Sequence, residues 1–326
     1  MTRLLRKALL ALVLVPLGNA TAQGRDEQFY YPGGFNWQFR RHHPDAARLF
    51  NAFDYGHAIL YETLYTDPDG AAARLPRELD FLVTDLLRNP PRFAIAEEAV
   101  MPGYAKLAWR AKQMFDWAHV LHRQLYDVYA DPRLDDAARQ RMAERVTDYY
   151  LSNERLAFVA VPKSMALMDE QHFSQVFRKR HPAFNGLIWA YHWLQVGLYQ
   201  PLVAASAAGS TPEIQGTLDR FWAMVDGRAF PEVMPMTPAV APDFAARHPR
   251  AAIVFDNLHM MHDIISDILA SDEIPRPRKA AAIEAALDEF QSAERNVIDL
   301  GHWRMMADHM GGVERMGGVA GRAGPP

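Results

Sequence analysis

The chain has 326 residues, a net charge of −4, 23% charged and 49% hydrophobic residues, and no cysteine. These values suit an ordinary globular protein and give no basic field for nucleic acid. The absence of cysteine excludes disulfides, thiolate-held zinc, iron–sulfur clusters and covalently attached haem, so any metal must be held by His, Asp, Glu, Met, Tyr or backbone oxygen.

Residues 1–22 read as an export signal: Arg3, Arg6 and Lys7 form a basic head, Ala8 to Leu17 an apolar run, and Ala20-Thr21-Ala22 a cleavage site. Cleavage after Ala22 predicts a periplasmic or secreted protein. Residues 23–310 are expected to form a single all-α domain, because apolar residues recur with a helical period and alternating Val/Ile-rich strands are missing. Helices are predicted near Pro44–Thr66, Arg77–Arg88, from Pro102-Gly103 to Ala130, and over Asp135–Leu156. Further helices are predicted over Lys163–Phe177, Asn185–Ala207, from Thr211 to Asp226-Gly227, Arg250–Ser271 and Arg278–Met310. The proline-rich stretch 227–249 reads as an internal linker, and 311–326 as a disordered tail. The uncharged stretch Pro182–Thr211 is interrupted by His192, Gln195, Gln200 and Pro201, and its flanking charges oppose the positive-inside bias; a buried central helix is expected rather than a membrane span. The expected architecture is a multi-helix bundle around a central His/Asp-bearing helix set. It approaches an α/α barrel if one helix separates successive motif helices.

Three Phe-Asp-x-x-His copies carry the chemistry: Phe53-Asp54 with His57, Phe115-Asp116 with His119, and Phe255-Asp256 with His259. With 17 Phe, 24 Asp and 13 His in the chain, chance supplies roughly 0.05 copies. Asp and His three apart share one helix face, so a carboxylate and an imidazole can converge on one cation. The pairing resembles the Glu-x-x-His pairs of helical di-metal carboxylate proteins with Asp in place of Glu, and the likeness covers the paired positions alone. His122 and His262 extend two of the stripes, while Tyr61 and Glu62 follow the first. His192, after Ile188-Trp189-Ala190-Tyr191, reads as a fourth copy that has lost its Asp.

The expected metal ligands are therefore Asp54, His57, Asp116, His119, His122, Asp256, His259 and His262, with His192 as a further cofactor ligand and Tyr61 and Glu62 handling protons. A mixed nitrogen and oxygen set suits iron, manganese or zinc, in one ion or two; a non-covalent haem between two histidines is a variant. His302, Met305, Met306 and His309 form a stripe that could hold copper. His262-Asp263 is similar to the dyad of helical phosphohydrolases, without their upstream and downstream partners. Three functions are open: a redox metalloenzyme, a zinc-dependent hydrolase, or a metal-handling or accessory subunit. The competing structural reading makes each Asp–His pair a packing contact, with Arg110, Lys112 or Arg123 neutralising the carboxylates.

Overall fold

The structure, a computed structural model, describes residues 25–204 and 211–321; the predicted export signal lies outside them. The fold is the expected all-α bundle, and among the described residues the one β feature is a bridge between Lys163 and Val297. No described helix is long and apolar enough to cross a membrane.

Four long helices carry the core histidines: Pro44–Thr66, Trp109–Ala130, Pro182–Gly197 and Pro249–Ala270. Each is entered through a short helix and a single break residue. Gln38–His42 leads to His43, Pro102–Leu107 to Ala108, Val176–Arg180 to His181, and Pro242–Arg247 to His248. The four breaks share one geometry, with φ/ψ of −133/61°, −135/55°, −132/56° and −130/58°. A proline at 44, 182 and 249 explains three of them, because it disfavours helical backbone in the residue before it and needs no N–H at the first helical position. Trp109 takes that place in the second copy. Each break residue donates its N–H to the aromatic carbonyl four back (Phe39, Tyr104, Phe177 or Phe244, at 2.7–2.9 Å), while its own carbonyl accepts the first bond of the long helix.

Side chains from the far ends of partner helices fix these entries. Asp127 accepts the N–H groups of Trp37 and Phe39 at 2.8 Å each. Asp267 accepts those of Gln175 at 2.7 Å and Phe177 at 2.8 Å. Glu62 accepts Gly103 at 3.1 Å and Tyr104 at 2.9 Å, and Gln200 accepts Asp243 at 3.0 Å. Trp37 (φ 69°) and Gln175 (φ 66°) occupy the left-handed region, which costs a side-chain-bearing residue roughly 1–2 kcal/mol. The bidentate carboxylate beneath each offsets that cost.

The correspondences divide the chain into two similar halves, offset by 138 residues (182 − 44) at one pair of helix starts and 140 (249 − 109) at the other. Arg139 and Lys279 match in the same way. Both donate to carbonyls at the end of the preceding long helix, Arg139 to Asp131 at 3.2 Å and Lys279 to Ile268, Leu269 and Ser271 at 2.7–2.9 Å. Within each half the two long helices run antiparallel: Asp54 meets Arg123, Glu62 meets Tyr104, and Phe39 at the opposite end meets Asp127.

Several expectations are corrected. More than one helix lies between successive histidine helices, as Ala71–Phe81, Glu97–Val100 and Pro102–Leu107 do between the first two, and antiparallel pairing replaces the parallel set that an α/α barrel would need. The stretch 227–249 is not a linker. It holds the short helices Thr237–Val240 and Pro242–Arg247, with Met234, Met236, Val240 and Phe244 buried. Pro238 and Pro242 stand in the first turn of these helices, where a missing N–H costs nothing. Arg278–Met310 divides into Lys279–Gln291 and Leu300–His309, and Lys163–Phe177 holds only Ala166–Asp169 and the start of Val176–Arg180. Residues 311–321 are packed rather than loose: Met316 and Ala320 are buried, and Trp193 donates to the Gly318 carbonyl at 2.7 Å.

Removing a cap tests this arrangement. Asp127→Ala or Asp267→Ala leaves two backbone N–H groups without their acceptor and should lower stability by about 2–4 kcal/mol, read as a drop in urea midpoint. A loss below about 0.5 kcal/mol in both variants would show that these carboxylates do not hold the helix entries.

Candidate metal centre

The shared entry geometry places equivalent positions of the long helices at one level. Ten residues past the helix starts stand Asp54, His119, His192 and His259; thirteen past stand His57, His122, Gln195 and His262. All eight side chains are buried, with six histidines at the contact between the halves. The rings pack against one another: His57 and His262 centroids are 4.3 Å apart, His192 and His259 4.0 Å, and His57 and His192 5.4 Å.

Three nitrogens converge. His57 Nε2 lies 3.3 Å from His192 Nε2, and His262 Nδ1 lies 3.2 Å from the same atom. His57 Nδ1 donates to the Phe53 carbonyl at 3.0 Å, which leaves its Nε2 with a bare lone pair aimed at His192. A ring nitrogen carries one proton or one lone pair, so His192 Nε2 cannot satisfy both neighbours by hydrogen bonding. Two nitrogens each about 2.0–2.1 Å from a tetrahedral ion stand about 3.3 Å apart, so the observed spacing fits a shared cation. The residues present therefore could hold a metal ion. Within the same core, His192 Nδ1, His119 Nε2, His122 Nε2 and both nitrogens of His259 have no hydrogen-bond partner.

Burial keeps these rings neutral. Desolvation pushes His57 down to about 4 and His259 to about 3, against a small opposing effect of the Phe53 carbonyl on His57. Desolvation, followed by repulsion from neighbouring cationic and histidine groups, holds His119, His122, His192 and His262 well below the ordinary histidine value. Neutral imidazole is the form that binds a metal.

The halves are mirrored around this centre. Tyr61 donates its hydroxyl to the His262 carbonyl at 3.4 Å, and Tyr199 donates to the His122 carbonyl at 3.0 Å while accepting from His122 Nδ1 at 2.9 Å. Phe115 packs edge-on to His262 at 4.2 Å, and Phe255 stacks on His122 at 3.5 Å. Tyr199, Gln195 and these phenylalanine contacts were missed in the sequence. Tyr61, Tyr126 and Tyr199 each follow His57, His122 or Gln195 by four residues, a signal that would have exposed the common register.

The Phe-Asp-x-x-His copies are out of register with that frame. The first begins one turn later along its helix than the other two, so Asp54 matches His119 and His259, while Asp116 and Asp256 match Asn51. Asp116 and Asp256 accordingly do not join the cluster. Asp116 pairs with Lys112. Asp256 accepts Thr237 through N–H at 2.9 Å and hydroxyl at 2.6 Å, and Trp303 Nε1 at 2.8 Å. Glu62 caps the Pro102–Leu107 helix rather than facing the histidines. Asp263 faces Trp189 Nε1 at 2.9 Å, so it forms no dyad with His262.

Asp54, Glu97 and His119 form a second group that could hold a cation, with Asp54 Oδ1 3.6 Å from His119 Nδ1. Arg123 already supplies a positive charge there, 2.9 Å from Asp54 Oδ2 and 2.7 Å from Asn51 Oδ1. Arg123 and Lys112 thus act as two of the neutralising cations considered from sequence, whereas Arg110 pairs with Glu284 and Asp288. On the last helix His302, Met305 and His309 are exposed together while Met306 turns into the core, so that stripe is separate from the centre.

No protein-family model, curated protein or solved structure matches this chain.

The buried histidines set a pH dependence for the metal-free protein. Below about pH 6.5 the unfolded chain binds protons that the folded core refuses, so stability falls with pH. Desolvation raises Asp127, Asp256 and Asp263 to about 7 and Asp267 to about 6, which acts in the opposite sense between about pH 4 and 7. Six core histidines outnumber these four carboxyls. From pH 6.5 to 4.5 the urea midpoint should therefore fall, with His57 alone contributing on the order of 2–3 kcal/mol. A midpoint that rises over this interval would contradict the neutral-histidine core.

Proposed function

We propose that this protein is an exported metalloenzyme of redox type whose ion is held by His57, His192 and His262. The carrying observation is His192 Nε2 facing two other imidazole nitrogens at 3.2 and 3.3 Å, in a core where all three rings are neutral. Such a set suits iron, manganese or zinc. Burial supports redox chemistry over hydrolysis: His192, His262 and His57 are 0%, 1% and 4% exposed, which admits electrons or a very small molecule more readily than an ester. Tyr61 and its mirror Tyr199 lie beside the rings with phenols held protonated by burial, suited to proton handling near the ion. When bound, the metal would supply electron transfer or activation of a small ligand. Export through residues 1–22, which rests on their composition, belongs to the same proposal.

Metal analysis of untagged protein tests the centre. His192→Ala and His262→Ala should each cut bound metal at least about tenfold, whereas Asp116→Ala and Asp256→Ala should leave it unchanged. Full metal retention in both histidine variants would remove the site. Redox character predicts a visible or electron-spin spectrum that changes reversibly with reductant and air. A spectroscopically silent zinc protein whose chelator-sensitive activity is phosphate-ester hydrolysis would instead establish the hydrolase alternative.

A further inference from the structure

Beside the histidine core lies a narrow cleft of about 40 Å³ whose walls include Trp37, Phe50, Phe93, Arg40, Arg92 and Arg123. At its mouth, sharing Trp37, Arg40 and Arg92, is a hollow of about 520 Å³. The arginines of the cleft are held by their faces. Arg40 and Arg92 sit over the same Phe93 ring, with Cζ 5.3 and 5.2 Å from its centroid, and Arg123 lies over Phe50 at 4.3 Å. Stacking of this kind fixes a guanidinium and leaves its N–H edge for an oxyanion. Arg123 directs its edge to Asn51 and Asp54, and Arg40 directs one N–H to Glu27 at 2.9 Å. Asp127 is occupied by the backbone of Trp37 and Phe39.

Arg92 has no carboxylate partner among the described residues, nor do Arg41 and Arg48, which line the adjoining hollow with Arg40 and Arg92. Elsewhere arginines commonly meet acids, as in Arg88–Asp226, Arg110–Glu284 and Arg228–Asp80. Four arginines therefore line one hollow, three of them without a carboxylate partner among the described residues. Clustering like charges is unfavourable unless an anion is drawn among them. The floor of the cleft is one side chain from the centre, because Phe50 lies edge-on to His119 at 5.4 Å and to His122 at 5.7 Å.

We infer that the hollow at the mouth of this cleft binds a small organic oxyanion, a carboxylate or a phosphate ester, with its charge on the edges of Arg92 and Arg40 and its apolar body toward Trp37. As a substrate site the hollow rests on the metalloenzyme reading; as a binding site it does not. Titration calorimetry with benzoate and phenyl phosphate, with phenol as the neutral control, separates the two anion classes. At least one anion should bind, phenol should not, and Arg92→Gln should weaken binding at least tenfold, with Arg92→Lys intermediate. Exposed Arg77, on the Ala71–Phe81 helix, serves as control, and Arg77→Gln should change nothing. The anion should still bind to His192→Ala, so loss of the metal centre and loss of the anion site are separate outcomes. Absence of binding by both anions, equal binding of phenol, or an unchanged affinity in Arg92→Gln would overturn the inference.

Discussion

The architecture depends on a buried carboxylate reaching from the far end of one helix to the start of another. Asp127 and Asp267 each accept two backbone N–H groups around a left-handed residue, and Glu62 performs the same service without one. These bonds hold the short helices, the break residues set where the long helices begin, and the starts set the level at which side chains meet. A carboxylate is well suited to this task because two acceptor oxygens can satisfy two adjacent donors that the helix leaves without partners. Its burial is costly, which is why Asp127 and Asp267 titrate well above the usual carboxylate range despite those bonds.

The same register that orders the helices concentrates polar groups in the interior. Six imidazoles pack ring against ring with several nitrogens unpartnered, an expensive arrangement for a core that serves packing alone. Neutral rings reduce that cost, and a cation shared by His57, His192 and His262 would reduce it further. Arg123 shows the alternative within the same core: beside Asp54 a fixed guanidinium stands where a metal could otherwise bind. The two halves have therefore diverged around their common frame, one placing Asp54 and Arg123 where the other has His192 and Asp263.

Much of this was legible in the chain. Helical periodicity predicted the all-α class, and His57, His119, His192 and His259 were marked as central from their positions in long helices. The Phe-Asp-x-x-His repeat pointed to helices whose histidines do meet, while Asp116 and Asp256 lie outside that cluster. Asp116 and Asp256 share its spacing with Asp54, but spacing along a helix does not report how far each helix has advanced before it meets its neighbours. His43, His181 and His248, each followed by proline, marked the true register and appeared in the sequence only as local punctuation.

What the sequence by itself determined is local: apolar period, proline-set breaks, residues able to cap, and imidazoles on helix faces. Those properties follow from short-range sterics and from the 3.6-residue turn. Only the tertiary structure decided which faces meet, that the halves mirror one another, and that two imidazole nitrogens close on His192 Nε2 at 3.2 and 3.3 Å while two motif carboxylates find other partners. The physical reason is that convergence depends on contacts between residues as far apart as Phe39 and Asp127 or Phe177 and Asp267, whose pairing no local pattern encodes.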